Sequence, residues 1–163
     1  MNRTSRAVPT VGDVMTSTPR TIAPHQPIAT ARRFMKEYEV RCLPVTDENG
    51  KLVGIVSERD LHVAQAVSTV QRITVEDIMA PKPYIVSPDA FIHQVVKHMV
   101  SKKQESAVAM DRGRVLGVFT TTDALRVLAD TLEGKLPRAH AIVDAQRRPG
   151  RPKTRRIGRE ALA

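Results

Sequence analysis

Gly54-Ile55-Val56-Ser57-Glu58-Arg59-Asp60 returns 63 residues later as Gly117-Val118-Phe119-Thr120-Thr121-Thr122-Asp123, and this pair of segments decides the fold. Working outward toward the N-terminus, Val11-Gly12-Asp13-Val14-Met15 returns as Val75-Glu76-Asp77-Ile78-Met79, and Pro19 and Pro24 return as Pro83 and Pro88, now at a spacing of 64. The spacing changes because one residue is lost between Asp47 and Gly50. An indel confined to a turn, with everything else in step, is the mark of a duplicated folded unit, because turns tolerate insertion and strands do not. Function is therefore sought where the two copies meet.

Each copy reads as strand, helix, strand, strand, helix. In the first, a short turn over Val11 to Met15 leads to an extended stretch around Arg20 to Ile22, and Pro27 stands where a first helical turn accepts proline. Ile28, Ala31, Met35 and Tyr38 follow at helical spacing. Cys42 to Thr46 and Leu52 to Val56 read as a hairpin around Asp47-Glu48-Asn49-Gly50, with a helix starting directly at Glu58. The second copy places Ile92, Val95, Val96, Met99 and Val100 on its first helix, Ser106 to Met110 and Val115 to Phe119 in its hairpin, and Leu125, Leu128, Ala129 and Leu132 on its last helix. The expected organisation is a flexible N-terminus over 1–9, repeats over 10–70 and 71–134, and a tail over 135–163. The repeats are expected to pack as one pseudo-symmetric α/β body.

Composition bounds the class. The 163 residues are 41% hydrophobic but only 3% aromatic, with no tryptophan, so the core must be aliphatic layers of helix on sheet. The lone Cys42 excludes an internal disulfide and reads as a buried, inert thiol. The chain opens on no apolar leader and contains no run of about 18 apolar residues. A soluble, cytoplasmic protein with no membrane role is expected. Of the 26 lysines and arginines, eight lie within Pro137 to Ala163 against two acids, so the tail carries +6 of the net charge of +9.

Two accounts of Ser57-x-x-Asp60 and Thr120-x-x-Asp123 stand side by side. A hydroxyl at a helix start with an acid three residues on is a capping box, favoured by the helix dipole. A site is favoured by Gly54 and Gly117, which weaken the strands they sit in and so mark close approach by a ligand or another backbone. A strand ending at a helix N-terminus offers N–H groups and a hydroxyl to a phosphate, and the carboxylate suits a diol. Phosphate and ribose together describe a nucleotide.

At this point the chain resembles a tandem pair of CBS domains, the cystathionine β-synthase type repeat, also called a Bateman module. The resemblance rests on the Asp-x-Met opening, on Pro-Val before a turn, and on Gly-x-x-Ser/Thr-x-x-Asp closing each unit. It implies a regulatory sensor for AMP, ADP, ATP (with or without Mg) or S-adenosylmethionine in the clefts between repeats. It also implies a homodimer and no catalysis. By that resemblance Asp60 and Asp123 take ribose hydroxyls, Ser57 and Thr120 the ribose or phosphate side, and adenine lies near Thr21, Ile22, Ile85 and Val86. Any regulated partner is expected to be another chain.

The copies differ in two places. Leu43-Pro44-Val45 becomes Ala107-Val108-Ala109, and Arg59 becomes Thr122. Unequal sites are therefore expected, the one using Asp60 gaining an arginine for phosphates. A solvated helix-start arginine is the plainer account of Arg59. Catalysis and metal binding find little support: His25, His62, His93, His98 and His140 are not at ligand spacing, and none stands at a repeated position to activate Ser57. In the tail, Gly150-Arg151-Pro152-Lys153 is similar to an AT-hook, with Pro149 replacing one central arginine. Arg148, Arg151, Lys153, Arg155 and Arg156 are the candidates for nucleic acid, and the second functional reading is a nucleic-acid-associated protein that uses the repeats as a dimerisation scaffold.

Overall fold

The computed structural model describes residues 8–67 and 73–135. The first repeat contains a helical turn α1 (Val11–Val14), a short strand β1 (Thr16–Ser17), helix α2 (Ile28–Glu37), the hairpin strands β2 (Cys42–Thr46) and β3 (Leu52–Ser57), and helix α3 (Glu58–Val67). The second contains β4 (Ile85–Val86), α4 (Ile92–Lys102), the hairpin β5 (Ser106–Asp111) and β6 (Arg114–Thr120), and α5 (Thr121–Leu132). The helix–strand–strand–helix part of the expected plan is present in both, and the expected strand that precedes it forms in the second repeat alone, as β4. The hairpin turn of each copy ends on a left-handed glycine, Gly50 at φ 76° and Gly113 at φ 77°, where a side chain would be strained.

The copies are held together by an exchange of their opening segments. β1 pairs with β6, so a strand of the first repeat completes a sheet of the second in the order β1-β6-β5-β4. Conversely Ala80, at the position matching Thr16, bridges to Ile55 of β3. The backbone bonds are reciprocal: Val11 N–H donates to the Ala90 carbonyl at 2.8 Å and Gly12 N–H to that of Pro88 at 2.7 Å, while Val75 N–H donates to Gln26 and Glu76 N–H to Pro24, both at 2.9 Å. Side chains follow the backbone. Val11 is fully buried with Val86, Ile92, Val95, Met99, Ala107, Ala109 and Phe119 of the second repeat. Val75 is fully buried with Ile22, Ala31, Met35, Leu43, Val45, Val56 and Leu61 of the first. Burying a valine of this kind contributes about 1.5–3 kcal/mol, so each exchanged segment is part of the opposite core.

This exchange explains the strand glycines. A Cβ built on Gly54 would lie 2.6 Å from the Met79 sulfur and 2.9 Å from the Ala80 carbonyl oxygen. One built on Gly117 would press on the Met15 sulfur and lie 2.9 Å from the Thr16 carbonyl oxygen. Of the two causes open in the sequence, a ligand or another backbone, the second applies. The repeated methionines Met15 and Met79 are the side chains those glycines admit.

Pro44 explains an asymmetry between the copies. In the second repeat Val108 N–H donates to the Tyr84 carbonyl at 2.7 Å, and β4 runs parallel to β5. Pro44 stands at the matching position and has no N–H to give to Arg20. Only Ile22 bridges to Val45 there, so the expected extended stretch over Arg20 to Ile22 forms no strand.

Three apolar stripes read from the sequence are adjusted. On α2, Ala31 and Met35 are buried, but Tyr38 ends the helix and is 42% exposed. On α4, Ile92, Val95 and Met99 are buried while Val100 is 73% exposed. On α5 the stripe faces outward: Leu125, Leu128 and Leu132 are exposed, and Ala124 and Val127 meet the core instead. The rotation of α5 is set at its start, where Asp123 turns back onto Thr120 and is buried.

Gly54→Ala and Gly117→Ala are each expected to destabilise the protein by about 1–3 kcal/mol through overpacking. Urea titration measures this, and adding Met79→Ala to Gly54→Ala is expected to recover part of the loss, a coupling absent for Met15→Ala with Gly54→Ala.

Candidate functional site

Both helices that follow a hairpin begin with the same local chemistry. Ser57 N–H and Oγ donate to Asp60 Oδ2 at 2.8 and 2.7 Å, and Asp60 N–H returns to Ser57 Oγ at 3.3 Å. Thr120 and Asp123 repeat this at 2.8, 2.7 and 3.3 Å. The same pair occurs at the exchanged segments, where Thr10 bonds Asp13 and Thr74 bonds Asp77 through N–H and hydroxyl at 2.8–2.9 Å. The two Thr74 donors hold the Asp77 carboxyl below its usual range. Four Ser/Thr-x-x-Asp pairs thus share the same donation to the carboxylate, three at helix starts and the one at Thr74 ahead of a turn, so the motif by itself does not separate a cap from a site. The pairs at Thr10 and Thr74 were legible in the sequence as the same spacing, and they lie away from the hairpin helices.

What distinguishes Ser57 and Thr120 is the space in front of them. Both line a cleft of about 1130 Å³ that lies across the axis relating the repeats. Matched residues face it from the two sides: Cys42 and Ser106, Arg41 and Glu105, Glu58 and Thr121, Arg59 and Thr122. Thr16, Thr18, Pro19, Arg20, Tyr38, Val40, Val118, Asp123 and Arg126 extend it toward one side. The N-termini of α3 and α5 both open into it; the N–H groups of Glu58 and Thr121 go to the Arg41 and Glu105 carbonyls and those of Asp60 and Asp123 to their capping hydroxyls, which leaves the N–H groups of Arg59 and Thr122 for an anion.

Charge in the cleft is divided. Arg126 pairs with Asp123 Oδ1 at 2.9 Å, and Arg41 donates to Thr122 Oγ1 at 2.9 Å. Arg20 lies over the Phe34 and Tyr38 rings at 5.0 and 5.2 Å from their centroids. Arg59 has no hydrogen bond or ion pair among the described residues. Glu39, Glu58 and Glu105 line the cleft as well. Asp123 is 4% exposed and takes three donors, from Thr120 and Arg126. Carboxylate oxygens hold about four lone-pair sites, so one edge of Oδ1 can still accept.

Of the nine nucleotide-contact candidates, the cleft gathers Ser57, Arg59, Thr120 and Asp123. Arg59 thus stands with Thr120 and Asp123, while Asp60 is outside this lining. Ile22 and Val86 are core residues, Thr21 is half-buried and Ile85 is 53% exposed on β4. None of these four lines the cleft. The basic candidates Arg148, Arg151, Lys153, Arg155 and Arg156 lie outside the described residues. Tyr38, Arg20, Arg41 and Arg126 were missed: the first read as core, and the others have no counterpart in the repeat, so duplication gave them no weight. Among the described residues, no group of three or more His, Cys, Asp or Glu side chains is placed to hold a metal, and no helix is long and apolar enough to cross a membrane.

The sequence profile of the CBS domain matches residues 11–66 and 75–130, and the chain belongs to the CBS domain family as a tandem pair, a Bateman module. It is 32% identical over 114 residues to inosine-5'-monophosphate dehydrogenase of Nitrosopumilus maritimus, covering 69% of this chain and 23% of that protein. It is 33% identical over 119 residues to homoserine O-acetyltransferase of Methanococcoides burtonii, covering 72% and 24%. The chain therefore spans about a quarter of the length of these curated relatives. Among solved structures it is similar to the CBS domain pair of protein MJ0100 in complex with 5'-methylthioadenosine and S-adenosyl-L-methionine, with TM-score 0.72, 26% identity and coverage of 77% of this chain and 99% of that one. CBSX2, from Arabidopsis thaliana, in complex with AMP aligns with TM-score 0.64 and 26% identity over 76% and 98%. A putative acetoin utilization protein of Vibrio cholerae aligns with TM-score 0.68 and 27% identity over 78% and 95%.

Cys42 faces the cleft beside Ser106, yet its thiol is pushed up to about 11, chiefly by burial. It should be modified slowly by iodoacetamide at pH 8, against rapid reaction in urea. The unfolded thiol ionises near 9.0 and the folded one about 11, so unfolding releases a proton between these values. Stability relative to Cys42→Ala is expected to be level below pH 9 and to fall as pH rises through 11, read by urea titration at each pH.

Proposed function

We propose that this CBS pair is a soluble, cytoplasmic regulator that binds an adenosine phosphate, AMP, ADP or ATP, in the cleft between its repeats. The observation that carries the reading is the convergence of the unpaired Arg59 and the starts of the two hairpin helices on one cleft. Phosphate oxygens suit the Arg59 guanidinium and the helix starts, and a ribose hydroxyl suits the remaining edge of Asp123 beside Arg126. A phosphate-bearing ligand is favoured over the sulfonium of S-adenosylmethionine, because the guanidinium groups and helix ends all favour negative charge. Support also comes from the solved CBS pairs described as complexes with AMP and with S-adenosyl-L-methionine.

The cleft touches both repeats, so its occupant draws their two hairpin helices into one network. That is the means by which ligand binding alters the outer surface of α5. Leu125, Leu128 and Leu132 form an exposed stripe on that helix, 61, 52 and 78% accessible. A second copy of the chain covers this stripe in a homodimer, and the regulated protein is a separate chain that reads the dimer's state.

Arg59→Ala is expected to weaken binding of ADP about tenfold or more, the loss of a charge-assisted hydrogen bond, while leaving the ligand-free melting temperature unchanged. Isothermal titration and thermal unfolding check this; equal affinity in the variant would remove the arginine from the site. Leu128→Glu is expected to shift the protein from dimer to monomer in sedimentation velocity, with the far-ultraviolet circular dichroism retained.

A further inference from the structure

We propose that Arg20 and Tyr38, backed by Phe34, form the seat for the purine base, and that this seat exists in the first repeat alone; the inference rests on the nucleotide reading above and specifies its base contacts. Of the residues that the family resemblance offered as a base bed, Ile22 and Val86 are 3% and 8% exposed and belong to the two cores, and neither Thr21 nor Ile85 lines the cleft. The cleft has a different aromatic wall. Tyr38 is the C-cap of α2, 42% exposed, and lines the cleft with Arg20 and Val40. The Tyr38 ring meets Phe34 edge-on at 6.0 Å and 75°, and the Arg20 guanidinium lies over both rings. Arg20 is available for this because Pro44 cannot draw its backbone into a strand as Val108 draws that of Tyr84. A guanidinium placed over the Tyr38 ring can stack on a planar base, and the exposed tyrosine closes the side.

The distance suits one nucleotide. The backbone from Tyr38 reaches Arg41 within three residues, at most roughly 10 Å of chain, and the Arg41 carbonyl accepts from Glu58 N–H, the start of α3, at 2.8 Å. Base at Tyr38 and phosphate at the helix start are thus within the span of a single ligand.

The second repeat has spent the same positions differently. Tyr84 replaces Arg20 and His98 replaces Phe34, and these two rings stack on each other at 4.1 Å and 20°. Lys102 replaces Tyr38 and Gln104 replaces Val40. An aromatic surface facing a base is therefore built on one side of the pair, and one nucleotide per chain is held by stacking.

The chain has two tyrosines and no tryptophan, so Tyr84→Phe leaves Tyr38 as the sole ultraviolet fluorophore of this kind. Titrating that variant with AMP is expected to quench Tyr38 with the midpoint found by calorimetry, at one nucleotide per chain, and ribose 5-phosphate is expected to bind without quenching. Tyr38→Ala should lose about tenfold in AMP affinity and nothing toward ribose 5-phosphate, with Tyr38→Phe close to the parent; melting curves of all variants check folding. AMP binding with unchanged fluorescence, or with unchanged affinity in Tyr38→Ala, overturns the seat but keeps the nucleotide site. Failure of both AMP and ribose 5-phosphate to bind overturns the nucleotide reading and the seat with it.

Discussion

The reciprocal docking of the two opening segments is the constraint on which the rest of this structure depends. Val11 and Val75 each complete the core of the other repeat, and the paired bonds to Pro88 and Pro24 fix their register. Neither repeat has a full core without its partner's segment. The two hairpins are thereby held face to face, and the space between their ends becomes a cleft rather than two separate surfaces. Small glycine-for-side-chain decisions follow from the same docking, because Met15 and Met79 occupy the volume that Gly54 and Gly117 leave open.

Superposed on this symmetry is a set of single substitutions that make the two sides chemically different. A proline in β2 in place of a valine withholds one N–H, and the Arg20 segment stays out of the sheet where the Tyr84 segment joins it. Arg59 against Thr122 and Arg126 against Val63 then set where guanidinium groups reach the cleft. Symmetry builds the container, and departures from it supply the charge and the aromatic wall. Under the proposed adenosine-phosphate reading, the duplicated part frames the cleft, while the part that contacts the ligand needs only one copy.

The repeated Ser/Thr-x-x-Asp pairs show why local motifs need tertiary context. All four share N–H and hydroxyl donation to the carboxylate, which at the three helix starts is the capping-box arrangement. Two of them pin exchanged segments and two stand at the hairpin helices, with Ser57, Thr120 and Asp123 on the cleft wall. A capping carboxylate is not thereby excluded from ligand contact, since it retains unfilled acceptor sites.

The sequence by itself determined the duplicated plan, the hairpin turns, the helix starts and the presence of two aliphatic cores, because these follow from periodicity, from turn chemistry and from a repeat that can be aligned to itself. It also supplied the family resemblance that the CBS domain profile bears out. Only the tertiary structure decided that the opening segments change places, since a segment that packs in its own repeat and one that packs in the other carry the same apolar pattern. It alone turned α5 so that Ala124 and Val127 face inward and three leucines face out, because the cap at Asp123 and the fit to the sheet set the rotation that hydrophobicity left open. It alone brought Tyr38, Arg20, Arg59 and Asp123 to one cleft, as residues far apart in the chain become neighbours only once the exchanged segments fix how the two hairpins meet.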